Sequence, residues 1–424
     1  MEKNKIETGI LLESQEEIMN RTIKNKHDVG VLLGPLFYEF CSRLYWICSN
    51  YNANEDALLF MSRGGLRLKY LYELFLAKNN LSCKVKKFPF WVSRFAAVKL
   101  TFAKNPELAV SNIVREFSYT NCKTMAKALL PVELYPTLDA LLDTIPVEIG
   151  EAVVNRESFF NLYYYQCPYS EQLRQHFQEQ RTFGMAYLKE SFGDFKRLHT
   201  VDTGWFGSTL GSLQTGCEDW QWDALYFGRW NYRNETPWYF NDIIGIMIDA
   251  NGLKKNSPID VFLEYHHLLE AVLEPDLSST EYYFSDLRNN SMVEDWQNKI
   301  AGDADESMWS GIVEYFESAP AYTLPDVVIA TQKVLKVWKH VLRYPTAAEA
   351  KILEVPARSA DFGKQDNTSV FMLSQHKNRI DYWKNIKRSL WPPGAIAVSS
   401  KRCIFLKQLF WHVFKAIICY RGAV

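Results

Sequence analysis

The stretch Thr200-Val201-Asp202-Thr203-Gly204-Trp205-Phe206-Gly207-Ser208-Thr209-Leu210 limits the fold more than any other part of the chain. An apolar run from Leu198 to Val201 leads into a single carboxylate, Asp202. A turn with glycines and hydroxyls follows, and Leu210-Gly211-Ser212-Leu213-Gln214 opens a helix. Strand, acidic tip, Gly/Ser/Thr turn and helix N-terminus form an arrangement that grips phosphate. The N–H groups of Gly207, Ser208 and Thr209 would face the anion, and the two hydroxyls would add donors. Glycine lets the backbone approach a ligand closely and tolerates positive φ. The competing reading is an ordinary strand-to-helix turn capped by Ser208 or Thr209.

A second stretch favours the phosphate reading. Ala57-Leu58-Leu59-Phe60-Met61 is a continuous apolar run, as expected of a strand buried on both faces. Ser62-Arg63-Gly64-Gly65-Leu66-Arg67 follows at once, and Leu68 to Leu74 has helical spacing. Two anion-binding loops at the carboxyl ends of parallel strands suit a ligand with phosphate at both ends.

On these residues the chain resembles the type I phosphoribosyltransferases. Ser62-Arg63-Gly64-Gly65-Leu66 is similar to their pyrophosphate loop. Asp202 through Thr209 is similar to the loop that holds the ribose and 5-phosphate of phosphoribosyl pyrophosphate (PRPP). The closer resemblance is to the phosphoribosyltransferase-like glycosyltransferases of bacterial capsule and O-antigen clusters, often fused to haloacid-dehalogenase-type phosphatases. Gly34-Pro35-Leu36, Phe60 to Gly65, Trp91-Val92-Ser93-Arg94, Val201 to Gly207 and Trp391-Pro392-Pro393-Gly394 carry it, in order along most of the chain. Three departures stand out. Thr203 occupies the place of a second acid, the loop is one residue shorter, and Gly64 stands where many relatives have Asp.

The resemblance implies an α/β fold: a type I phosphoribosyltransferase-like parallel sheet flanked by helices, with a large helical insertion and a helical C-terminal region. Strands are expected at 57–61, 84–93, 198–201, 223–228 and 243–249, in a doubly wound sheet. Pro89 counts against a central, fully paired second strand. The expected partition is an N-terminal helical segment 1–50, a core 51–285 with its insertion at 95–195, and a helical region 286–424. A buried helix is expected over Val29–Ser49, entered at Gly34-Pro35 with the proline near its first turn.

The implied chemistry is transfer of ribofuranose 5-phosphate from PRPP to a sugar hydroxyl of a growing, lipid-linked glycan, releasing pyrophosphate. Ser62, Arg63, Gly64, Gly65, Arg67 and Arg94 would hold the pyrophosphate end. Asp202, Thr203, Gly204, Trp205, Phe206, Gly207, Ser208 and Thr209 would hold the ribose and 5-phosphate. Mg²⁺ is the implied metal, with Asp202 its expected contact. The general base is sought among Glu264, Glu270, His266 and Asp361. The Glu/His spacing of 264–270 also fits a metal site, against a reading as solvated or core histidines. The aromatic linker Arg229–Tyr239 reads either as a sugar platform or as packing. A separate phosphatase is expected to remove the 5-phosphate. Asp303-Ala304-Asp305-Glu306-Ser307 imitates a phosphatase motif but lacks the apolar strand before it, and Asp361-Phe362-Gly363 is a lone tripeptide. The other functional readings are a nucleobase phosphoribosyltransferase and a non-catalytic scaffold of the polysaccharide pathway.

The net charge of −1 argues against nucleic acid as a partner. The eight cysteines show no CxxC pair and no metal spacing, so they read as reduced cytosolic thiols. No secretory leader and no membrane-spanning run is expected, which makes the chain cytoplasmic. Residues 400–421 are basic, aromatic and free of acids. They read either as a helix lying on the inner face of the cytoplasmic membrane or as a last helix docked on the core.

Overall fold

The computed structural model describes residues 23–421 apart from 233, 234, 236, 251–256, 303–306, 321, 322, 356, 357, 360–366, 369, 372–378 and 401. Its centre is a sheet of five parallel strands: β1 (Asp56–Met61), β2 (Lys86–Phe90), β3 (Arg197–Trp205), β4 (Gln221–Trp230) and β5 (Ile243–Ala250), in the order β2-β1-β3-β4-β5. This is a doubly wound order, and the winding reverses between β1 and β3. Parallel strands in the middle of such a sheet are covered on both faces, which is why β1 is apolar throughout and buried at every residue. Leu58 and Phe60 join one core and Ala57, Leu59 and Met61 join the other. Pro89 lies in β2, at the sheet edge, where a missing N–H removes no ladder bond on the open side.

The helices follow in chain order. α1 (Lys26–Cys48) precedes the sheet and α2 (Gly64–Lys78) links β1 to β2. The insertion holds α3 (Arg94–Phe102), α4 (Pro106–Glu116), α5 (Cys122–Leu129), α6 (Leu138–Leu142), α7 (Val147–Gly150), α8 (Arg156–Tyr164) and α9 (Pro168–Phe192). α10 (Ser208–Gly216) follows β3, and α11 (His266–Leu273) follows β5. Then come α12 (Trp296–Ala301), α13 (Met308–Ser318), α14 (Leu324–Arg343), α15 (Ala347–Ile352), α16 (Arg379–Arg388), α17 (Pro392–Ser399) and α18 (Ile404–Arg421). α1, α2, α11, α13 and α14 pack on one face of the sheet, while α3, α9 and α10 pack on the other. The insertion adds an apolar core of its own, from Phe95 to Phe177.

Several sequence expectations need correction. α1 starts at Lys26, capped by Asn25, whose Oδ1 accepts from the Asp28 N–H at 2.8 Å. Pro35 therefore sits inside the helix, not in its first turn. α14 supports the helix around the proline: Trp338 Nε1 donates to Leu32 O at 3.1 Å, and the Thr331 hydroxyl donates to Pro35 O at 3.1 Å. The helix expected over 259–273 is broken. A 3-10 turn spans Pro258–Glu264, and α11 begins only at His266. Tyr265 makes the break, stacking on Trp391 at 4.6 Å and donating its hydroxyl to Leu353 O at 3.0 Å. β3 also runs on past Val201 to Trp205, so Asp202 is inside the strand instead of at its tip. Residues 1–22 and the Asp303–Glu306 and Asp361–Gly363 motifs lie outside the described residues.

The N-terminal helix and the C-terminal region share one core. α1 crosses α13 at glycines: a Cβ on Gly30 would meet Met308 O at 1.9 Å, and one on Gly311 would meet His27 O at 2.2 Å. Main-chain atoms cannot swing aside as a flexible side chain would. Gly30→Ala should therefore cost about 2 kcal/mol of stability, read as a lowered denaturation midpoint. An unchanged midpoint would mean that the two helices separate easily.

Candidate functional site

Ligands of doubly wound sheets bind outside the carboxyl ends of the strands, where the winding reverses. The loops after β1 and β3 emerge side by side at that point and line one cavity of about 620 Å³. Ser62, Arg63 and Gly64 line it from the first loop, and Asp202 through Thr209 from the second. Ser93 and Arg94 enter from the start of α3, Glu116 from the end of α4, and His266, His267, Glu270 and Glu274 from α11 and the residue after it.

Both loops end in helices whose first turns have no side-chain cap. α2 follows Arg63, held at φ 69°, and α10 follows Gly207, held at φ 79° in the left-handed region. α1, α3, α4 and α5 are capped by Asn25, Ser93, Asn105 and Asn121, whereas α6, α7, α9, α11, α12 and α17 share the lack of a side-chain cap. What sets α2 and α10 apart is the residue of positive φ before each and their place above neighbouring strands. A helix N-terminus without a cap presents N–H donors and the positive end of its dipole to whatever lies in front of it. Gly207 supplies the positive φ at no steric cost.

The two loops touch. A Cβ on Gly64 would lie 2.7 Å from Thr203 Oγ1 and 3.1 Å from Asp202 Oδ1. An Asp at position 64 would put a second carboxyl directly against Asp202, so glycine at this departure follows from the contact. Ser62 is anchored by its hydroxyl to Val92 O at 2.6 Å. Arg63 lies 3.6 Å from Glu274. Arg94 pairs with Glu116, so the insertion closes one side of the cavity.

Burial pushes the Asp202 carboxyl up to about 7. The Thr203 amide and hydroxyl and the Arg63 charge pull against it, while the charge of Glu274 adds to it. A bound cation would relieve the cost that the Glu274 charge adds to ionising Asp202, so these two are the oxygen donors that could hold Mg²⁺. A different cluster lies on α11. Ligand-capable atoms of His266, His267 and Glu270 all lie within 4.8 Å of one another. Its nitrogen-rich set suits a transition metal better than Mg²⁺. Glu270 is already engaged, accepting from Trp205 Nε1 at 3.0 Å and meeting His267 Nδ1 at 3.0 Å.

Three residues expected at the site stand away from the cavity. Gly65 serves the backbone: a Cβ there would lie 2.5 Å from Val201 O, so it lets α2 start against β3. Arg67 turns to the opposite side of α2, donates to Val272 O at 2.7 Å and lies 4.4 Å over the Trp309 ring, beside a separate cavity of about 320 Å³. Four helical residues past Arg63 would bring it back to the same face, but the chain is not helical until Gly64. Glu264 lies on the broken 3-10 turn, buried 3.5 Å from Arg343. The aromatic linker divides. Trp230 and Tyr232 line the cavity, whereas Tyr239 and Phe240 are buried against Phe206.

Glu116, Tyr226, Glu274, Ser279 and Leu390 also line the cavity without having been singled out in the sequence. Glu274 had a usable signal: it stands four residues after Glu270, the spacing of one helical face. Glu116, Ser279 and Leu390 had none, because only tertiary contacts bring them there.

The Asp202 environment has a pH consequence. Its folded value near 7 lies above the ordinary carboxylate value of about 4. Between those values the ligand-free folded chain holds a proton that the unfolded chain has lost, so stability falls as pH rises through the window. Asp202→Asn removes this loss. At about pH 8 the ligand-free variant should be more stable than the parent by on the order of 4 kcal/mol, about three pKa units at about 1.4 kcal/mol each, and the advantage should vanish near pH 4. Parallel melting profiles of the two proteins from pH 4 to pH 8 would contradict the assignment.

Searched against protein-family models and against curated proteins, the chain matches none.

Proposed function

We propose that this protein is a PRPP-dependent glycosyltransferase that moves ribofuranose 5-phosphate to a sugar hydroxyl and releases pyrophosphate. The observation that carries this reading is that two uncapped helix N-termini, one bearing Arg63 and the other Ser208 and Thr209, open into one cavity at the switch point of a parallel sheet. One anion-binding helix start would serve many ligands. Two facing one cavity favour a ligand with phosphate at both ends. The same placement supports the finer reading of the fold as type I phosphoribosyltransferase-like.

In this reading Arg63, the Ser62 hydroxyl and the N–H group of Gly64 bind the pyrophosphate. The N–H groups of Gly207, Ser208 and Thr209 and the hydroxyls of Ser208 and Thr209 bind the 5-phosphate. Asp202 and Glu274 would hold Mg²⁺, which when bound neutralises charge on the pyrophosphate. Glu274 thereby supplies from α11 the second carboxylate that Thr203 does not. Arg94, held by Glu116, adds positive charge at the rim. Trp230 and Tyr232 offer faces against which a sugar ring packs.

The acceptor hydroxyl is a weak nucleophile and needs a base. His267 fits that part. Glu270 orients its ring through Nδ1, and Trp205 fixes Glu270, so the base is tied to the loop that holds the ribose. In a single displacement the acceptor oxygen bonds to the anomeric carbon as the bond to pyrophosphate breaks. The leaving group takes that electron pair and His267 takes the hydroxyl proton. The α-configured donor then gives a β-ribofuranoside that still carries its 5-phosphate. Removal of that phosphate falls to a separate phosphatase. A lipid-linked glycan is the acceptor class, and the cytoplasm, where PRPP is made, is the compartment.

Incubation with PRPP, Mg²⁺ and a panel of glycan acceptors should release pyrophosphate and add the mass of a phosphopentose to one of them. His267→Ala should lower kcat by about 10²- to 10⁴-fold with PRPP binding retained. Addition of an unphosphorylated pentose would contradict the division of labour. Pyrophosphate release that needs a nucleobase would replace this reading with salvage chemistry, and failure to bind PRPP would leave a scaffold.

A further inference from the structure

α18 (Ile404–Arg421) leaves much of its apolar surface facing outward while polar groups help to hold it. Surface helices ordinarily turn their apolar stripe to the core and their polar face to water. Here Gln408 is buried and donates to Pro345 O at 2.9 Å and to Pro393 O at 3.2 Å, and His412 Nε2 meets Arg343 O at 3.0 Å. These polar side chains, with Ile404 and Trp411 packed on the core, fasten the helix to the protein. The opposite face carries Phe405, Leu406, Leu409, Phe410, Val413 and Phe414, between 40% and 60% exposed. Their spacing repeats every three to four residues, so they form one continuous stripe. An apolar stripe of this size facing water marks an interaction surface.

Charge identifies what covers it. From 377 to 421 the sequence holds ten lysines and arginines against one acid, Asp381. Lys384, Lys387 and Arg388 are exposed on α16, which meets the stripe where Trp383 packs on Phe410 at 5.3 Å. Arg402 is exposed just before α18, and Lys415 along it. Among the described residues no helix is long and apolar enough to cross a membrane. An apolar stripe flanked by cations, on a helix that does not span, fits the plane of a bilayer: rings enter the acyl boundary and cations meet anionic headgroups.

We infer that α18 docks this protein on an anionic lipid surface, its apolar stripe inserted and the cations of α16 and α18 on the headgroups. The inference does not depend on the reaction proposed above. It does have a bearing on the cavity. Leu390, between α16 and α17, lines the cavity, and α17 contributes the Pro393 carbonyl that holds Gln408. One short structural unit therefore joins the lipid-facing helix to the rim of the site.

The test is flotation of the full chain with phosphatidylcholine vesicles, with and without phosphatidylglycerol. The chain should float with the phosphatidylglycerol vesicles, stay behind with pure phosphatidylcholine, and lose binding as salt is raised. Phe410→Asp/Phe414→Asp should lower the bound fraction at least tenfold, and Arg402→Glu/Lys415→Glu should lower it severalfold. These side chains are exposed, so both variants should keep the parent's melting temperature, which shows that lost binding is not lost folding. No flotation of the parent chain, or equal flotation of the phenylalanine variant, overturns the inference. So does a concentration-dependent dimer in solution that Phe410→Asp/Phe414→Asp dissolves, because a second copy would then cover the stripe.

Discussion

A helix begins with amide groups that nothing inside the helix can satisfy. In this protein two helices begin in that condition above neighbouring strands, and the rest of the site is arranged around them. α2 and α10 start after residues with positive φ and without side-chain caps, at the one place in the sheet where the winding reverses. Gly64 allows their loops to touch over Asp202. The carboxyl beneath that contact is largely withdrawn from water, which raises its proton affinity. Backbone geometry, electrostatics and the shape of the cavity thus have a common origin.

The remaining elements close the cavity around that contact. α11 brings Glu274 toward Arg63 and Glu270 to Trp205, so residues far apart in sequence share charge with the two loops. The insertion contributes Glu116 opposite Arg94. The C-terminal region supplies Leu390 at the rim and, through α13 and α14, the support for α1 beneath the sheet. The outward stripe of α18 lies on that same region, which joins the proposed lipid contact to the proposed transfer of a ribose phosphate.

The sheet and its loops were legible because parallel strands buried on both faces are continuous apolar runs, and because glycine, serine and arginine at their ends leave few other structures. Pro89 marked the edge strand for a plain steric reason. What the sequence did not reveal depends on tertiary contact. Asn25 outranks Gly34-Pro35 as a helix start because it caps, while a proline inside a helix is tolerated where Trp338 and Thr331 meet the surrounding carbonyls. Tyr265 breaks an apparently continuous helix because Trp391, far along the chain, stacks on it. Arg67 had the composition of an anion ligand but points to Val272 and Trp309. The C-terminal segment left two readings open; Gln408 docks α18 on the protein, as the second has it, while the opposite face is partly exposed.

If the cavity binds one donor by both ends, its two halves should be separable at equilibrium. Titration calorimetry with pyrophosphate and with ribose 5-phosphate, each in Mg²⁺, distinguishes them. Each fragment should compete with PRPP. Arg63→Ala should weaken pyrophosphate and spare ribose 5-phosphate, and Ser208→Ala should do the reverse. Fragments that do not compete with PRPP, or substitutions that weaken both equally or neither, would contradict the two-ended site.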